Sequence, residues 1–198
     1  MIYSLPRSLV LFTPPKCASN TLHEVLTRQS CMSVIGPQFN GGVDIHTVVL
    51  PWDVTARLPD YTFAVSVRHP YTRVASLYGH YCRYWPSPHL SFIEFLRKLV
   101  VAPRFAFFNM TIAAMLEPLE QPLDGKPAIR VTRYVRVEHL AQDLRELGFD
   151  VPDELPRHHA SVHRGLEEYT PEAVQLVDQW AYHDFQRFGY AQGFPLRT

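Results

Sequence analysis

Cysteine is scarce, with three residues in a chain of 198: Cys17, Cys31 and Cys82. An odd count at wide spacing excludes a disulfide framework and fits a reducing compartment better than an oxidising one. No CxxC pair and no His/Cys cluster has zinc spacing, so no metal is expected. An excess of charge is also missing. Nineteen Lys and Arg balance nineteen Asp and Glu, which leaves no global field to attract nucleic acid or an anionic membrane. Any anion site must therefore be local. Long apolar runs are absent too. None reaches the ~18 residues of a membrane span, so no integral membrane segment is expected. The run Leu9 to Phe12 near the amino end is too short for the apolar core of a signal peptide. Asn109-Met110-Thr111 is a formal glycosylation sequon that carries little weight without a secretory signal. There is no internal repeat, low-complexity tract or interdomain linker, and one domain spanning 1–198 is the expectation.

What is present is an alternation of strands and helices. Ser8 to Thr13 reads as a buried strand, and Asn20 to Arg28 as a helix with Leu22, Val25 and Leu26 on one face. Residues 32–45 read as irregular. Thr62 to Val67 is a second strand. Pro70 opens a helix striped by Val74, Leu77, Tyr78 and Tyr81, which Pro86 and Pro88 end. Ser91 can cap a helix to about Val100, and Phe105 to Leu116 reads as helical. Ala128 to Val135 is a third strand. Val137 to Leu147 is a helix closed by Gly148, and a last helix begins at Thr170-Pro171 with Val174, Val177, Ala181 and Phe185 inward. This order predicts an α/β fold with a mainly parallel central sheet covered on both faces.

Pro14-Pro15-Lys16-Cys17-Ala18-Ser19-Asn20-Thr21 lies between the first strand and the first helix. A helix start offers amides without intrahelical acceptors and the positive end of a dipole. Small residues allow a ligand near the backbone, and Lys16 supplies a point charge suited to phosphate or sulfonate. An ordinary reading stands beside this one: Thr21 and Glu24 have capping-box spacing, Ser19 or Asn20 could cap the helix, and Lys16 could be a solvated lysine. The common nucleotide loop GxxxxGK followed by Ser or Thr is absent, which counts against an ATPase or kinase.

Pro15 to Leu22 resembles the 5′-phosphosulfate loop of sulfotransferases, roughly PKxxxTxL, most closely in the carbohydrate (Golgi-type, sulfotransferase family 2) branch and its bacterial relatives. Val65 to Tyr78 resembles the 3′-phosphate motif of the same family, roughly VRxPxxRxxSxY. The two lie in the family's order, about fifty residues apart. The resemblance implies a P-loop-like three-layer α/β/α fold. The implied co-substrate is 3′-phosphoadenosine 5′-phosphosulfate, with adenosine 3′,5′-bisphosphate as product. Lys16 would stabilise the leaving phosphate, with Cys17, Ala18, Ser19, Asn20 and Thr21 around the 5′ end and Arg68 and Ser76 on the 3′-phosphate. Ser76 lies opposite the stripe centred on Val74 and need not face the core; Arg73 is read as structural in preference to phosphate-binding. Glu138, Leu140 and Asp143, Ala160 to His163, and the closing Tyr182 to Tyr190 (similar to "DFxxFGY") match the family loosely, the last as core packing.

An acceptor hydroxyl needs a base. His46 is the candidate, since bacterial relatives carry a histidine about twenty residues before the 3′-phosphate strand and imidazole titrates near neutrality. His158, His159 and His163 are alternatives, as are Asp44 and Glu138 in a different geometry. The expected acceptor is a hydroxyl on a carbohydrate or glycolipid. The absence of an amino-terminal anchor like that of Golgi relatives, together with Met1, points to a soluble bacterial cytoplasmic enzyme or else an excised domain. Two other readings stay open: a small-molecule phosphotransferase with a degenerate P-loop, opposed by the missing glycines, and a nucleotide-binding module that has lost catalysis, opposed by Lys16 and the Arg68/Ser76 pair.

Overall fold

A computed structural model describes residues 2–4, 6–28, 33–34, 38–39, 42–43, 60–84, 90–101, 110–122, 128–156 and 166–194. They fall into two compact units: Met1–Val67 with Leu116–His158, and Arg68–Met115 with His159–Thr198.

The first unit is built on a five-stranded sheet containing β1 (Ile2–Ser4), β2 (Leu9–Phe12), β3 (Ser33–Val34), β6 (Thr62–Val67) and β7 (Val131–Arg136), in the order β3-β1-β2-β6-β7. The two-residue strands β4 (Gln38–Phe39) and β5 (Gly42–Val43) form a separate hairpin. β2 is buried along its whole length, and β6 is buried after Thr62. Such continuous apolar runs are typical of parallel strands covered on both faces. β2 and β6 pair in parallel, with Leu9 opposite Thr62 and Phe12 opposite Val65, and β6 pairs in parallel with β7. β1 runs antiparallel to both β2 and β3, so four of the five strands share one direction. The sheet is therefore mixed, and the architecture is α/β.

α1 (Ser19–Thr27) and α5 (Leu140–Glu146) supply Leu22, Leu26 and Leu144 to a core with Ile2, Leu9, Leu11, Ala64 and Val135, closed by Phe149 and Val151. Each such leucine contributes roughly 1.5–3 kcal/mol by leaving water. Gly148 ends α5 as its place in the sequence predicts. Its φ is 82°, and a Cβ there would lie 3.1 Å from Arg7 Nη1, which donates to the Gly148 carbonyl at 2.7 Å. Any side chain would meet both a strained backbone and this contact.

The second unit is helical: α2 (Pro70–Tyr84), α3 (Phe92–Val101), α4 (Ile112–Leu116), α6 (Pro171–Trp180) and α7 (Tyr182–Phe188). Tyr71, Val74 and Tyr78 of α2 pack with Phe92, Leu96 and Leu99 of α3 and with Ala173, Val177, Ala181 and Phe185. The caps follow the sequence. Ser91 and Glu94 satisfy each other at the start of α3, where the Ser91 amide donates to Glu94 Oε2 at 2.9 Å. Thr170 Oγ1 accepts the Ala173 amide at 3.2 Å at the start of α6.

Several boundaries differ from the sequence reading. The first and third strands are shorter or shifted, at Leu9–Phe12 and Val131–Arg136. β1 and the short strands within 32–45 carry too few residues to show a period. The helix expected from 105 to 116 is present as Ile112–Leu116 and passes into a 3₁₀ turn, Glu117–Glu120; residues 105–109 lie outside the described set. The Val137 helix begins as a 3₁₀ turn, Val137–His139. The last predicted helix is two, broken where Ala181 adopts φ −100° and ψ 17°. Among the described residues no helix is long and apolar enough to cross a membrane.

Candidate functional site

Residues 13–18 join β2 to α1, and their conformation removes the ordinary capping reading. The residue capping α1 is Ala18, which offers no side-chain oxygen; neither Ser19 nor Asn20 caps the helix. Thr21 lies inside α1, past the cap position, and Glu24 pairs with Arg28 one turn later. The Thr21 hydroxyl instead donates to the Pro156 carbonyl at 2.9 Å. The first turn also holds no acidic residue. An alanine cap forgoes about 1 kcal/mol relative to Ser, Thr, Asp or Asn.

The loop is also strained. Lys16 and Ala18 adopt φ 66° and 59°; with Ser8 they are the only non-glycine residues at positive φ among the described residues. Each left-handed non-glycine residue costs roughly 1–2 kcal/mol, and such strain gathers at functional sites. Backbone that alternates in hand turns successive amides toward one point, a concavity that suits anions. The Cys17 amide is partly committed, since it donates to the Pro14 carbonyl at 3.2 Å, and its side chain is buried. Lys16 and Ala18 are half-buried, Ser19 is buried and Asn20 is exposed.

β6 ends at Val67, and Arg68 follows it half-buried. Because β2 and β6 are parallel neighbours, their carboxyl ends lie at the same end of the sheet, the position where open α/β sheets bind ligands. Ser76 lies in α2 and is buried, as are Pro70, Tyr71 and the whole stretch Arg73 to Tyr78. Stripe spacing alone leaves Ser76 free to lie off the core, yet it is buried: the first half of α2 is enclosed well beyond one apolar stripe. Arg73 is wholly buried. Its Nη2 donates to the Met110 carbonyl at 2.9 Å, and its guanidinium lies 5.6 Å from the Trp180 ring centre. It links α2 to the segment before α4 and to α6.

The closing motif proves to contain an interior carboxylate. Asp184 is buried, with Oδ2 accepting the Ile112 amide at 3.0 Å and Oδ1 the Ala113 amide at 2.7 Å. Burial pushes its carboxyl above the usual range, against the opposing pull of Arg73, the two amides and Arg187. Asp143 has a comparable structural duty, its Oδ2 accepting the Arg136 amide at 2.6 Å where β7 turns toward α5. Tyr71 and Asp178 hydrogen-bond to each other, and burial first, then this bond, raises the Tyr71 phenol. The Asp184 and Tyr71 pairings join residues far apart in sequence and leave no local signal.

His46 lies outside the described residues, as do Asp44, His158, His159 and His163. Glu138 is exposed in the 3₁₀ turn after β7. Among the described residues no three His, Cys, Asp or Glu side chains gather as metal ligands would. Comparison with models of protein families, with curated proteins and with solved structures finds no match.

Proposed function

We propose that the chain is a sulfotransferase that uses 3′-phosphoadenosine 5′-phosphosulfate, on a P-loop-like three-layer architecture. The observation that carries this reading is the helix start after β2: strained at Lys16 and Ala18, without a capping side chain or first-turn acid. Such a start suits an anion better than it suits an isolated helix. Arg68, directly after β6, and the buried Ser76 of α2 are the residues proposed for a second phosphate subsite. Lys16 and the amides of residues 18–21 would hold the 5′-phosphosulfate, and Arg68 with Ser76 the 3′-phosphate.

In the reaction, an acceptor hydroxyl oxygen forms a bond to sulfur as the bond between sulfur and the 5′-phosphate oxygen breaks. The electron pair leaves with adenosine 3′,5′-bisphosphate, whose new charge Lys16 stabilises. The hydroxyl proton passes to a base, for which His46 is the candidate. The in-line arrangement and the positive charge at the leaving group are the two demands such a transfer makes. The acceptor proposed is a carbohydrate or glycolipid hydroxyl.

Arg68 gives a test confined to one phosphate. Arg68→Ala should weaken binding of adenosine 3′,5′-bisphosphate by about 10- to 100-fold, as loss of a charge-assisted contact does. Adenosine 5′-phosphosulfate, which lacks the 3′-phosphate, should bind the variant and the wild type alike. Equal weakening of both ligands would remove Arg68 from a 3′-phosphate subsite.

A further inference from the structure

The segment after β6 contains a contact that the motif resemblance does not include. Arg68 Nε donates to Thr72 Oγ1 at 3.1 Å, and the Thr72 hydroxyl donates to the His69 carbonyl at 3.0 Å. The direction of both bonds is fixed by chemistry: a guanidinium only donates and a carbonyl only accepts, so the hydroxyl accepts from one and donates to the other. The same carbonyl accepts the Arg73 amide at 2.9 Å, the first backbone bond of α2. The relay is thereby tied to the helix start. The branched Cβ of threonine restricts the hydroxyl further.

A guanidinium sits on a long flexible stem, and ordering it on binding reduces affinity. Resting on the reading of Arg68 above, we propose that Thr72 is a positioning residue for the 3′-phosphate subsite. Its hydroxyl holds Arg68 by Nε, so that the guanidinium meets a phosphate already oriented. Serine would keep this function, and valine, of nearly the same shape, would lose it.

The test measures affinities of wild type, Thr72→Val and Thr72→Ser for adenosine 3′,5′-bisphosphate and adenosine 5′-monophosphate by calorimetry, with melting temperatures as controls. Thr72→Val should bind the bisphosphate about five- to tenfold more weakly, bind the monophosphate as wild type does, and melt normally. Thr72→Ser should match wild type. Thr72→Ala serves as a second hydroxyl-free variant should valine perturb folding. Unchanged bisphosphate affinity in the hydroxyl-free variants, or equal weakening of both ligands, overturns the role of Thr72. A wild type that does not distinguish bisphosphate from monophosphate overturns the Arg68 reading itself, and this inference with it.

Discussion

Lys16→Ala is expected to lower sulfonate transfer by about 100- to 1000-fold while the chain stays folded. The magnitude is that of removing one preorganised group from developing charge in a water-poor site. Lys16 already adopts φ 66°, and alanine pays the same left-handed penalty as lysine. The substitution therefore removes the cation and leaves the backbone strain as it was. Its melting temperature should stay near that of wild type, because Lys16 is half-buried in a loop and belongs to no core cluster. The check is release of adenosine 3′,5′-bisphosphate from the donor at saturating acceptor, alongside a melting curve. Turnover equal to wild type would exclude Lys16 from the mechanism.

The largest expected effect on stability belongs to Asp184. Asp184→Ala should cost about 3–5 kcal/mol, the usual cost of removing one partner from a buried charged cluster. Two amides at the start of α4 would lose their acceptor, and the wholly buried Arg73 would lose a nearby counter-charge. Asp184→Asn keeps an acceptor oxygen and should cost less. Urea midpoints at neutral pH measure both; an alanine variant as stable as wild type would show that these contacts contribute nothing net.

The pH dependence has a definite sign. The folded-state pKa of Asp184 is raised, so its proton-linked contribution to stability is full below the ordinary aspartate value and is lost as pH rises through the raised one. Across that window wild type should lose stability relative to Asp184→Asn, which lacks this titration.

The elements that were legible in sequence are those whose pattern is local. Thr62–Val67 is a dense β-branched and apolar run, and it forms the strand with the predicted limits. Pro70, Ser91 and Thr170-Pro171 mark helix starts through chemistry that acts within four residues. The break at Ala181 could not be read, because Val177, Ala181 and Phe185 keep inward helical spacing straight through it. β1 was illegible for a different reason: three residues show no period, and only pairing with β2 makes Ile2–Ser4 a strand.

The candidate site divides in the same way. Its residue types stood out in sequence, because a lysine among small residues at a strand-to-helix junction and an arginine after a strand are local features. Its conformation did not. Nothing in an alanine announces a left-handed cap, and Thr21 reads as a capping residue until the Pro156 carbonyl, remote in sequence, takes its proton. Asp184 shows the same limit, since its amide partners lie 72 and 71 residues away. The burial of Ser76 follows from packing around all of the first half of α2, beyond what one helical stripe reveals.

The proposed function requires one nucleotide held by two phosphates without need of a divalent ion, and a calorimetric titration of the wild-type chain with adenosine 3′,5′-bisphosphate in EDTA tests this most directly. Tight one-to-one binding, at least about tenfold stronger than that of adenosine 5′-monophosphate, is the predicted result. Binding of ATP only with magnesium, and none of the bisphosphate, would contradict it.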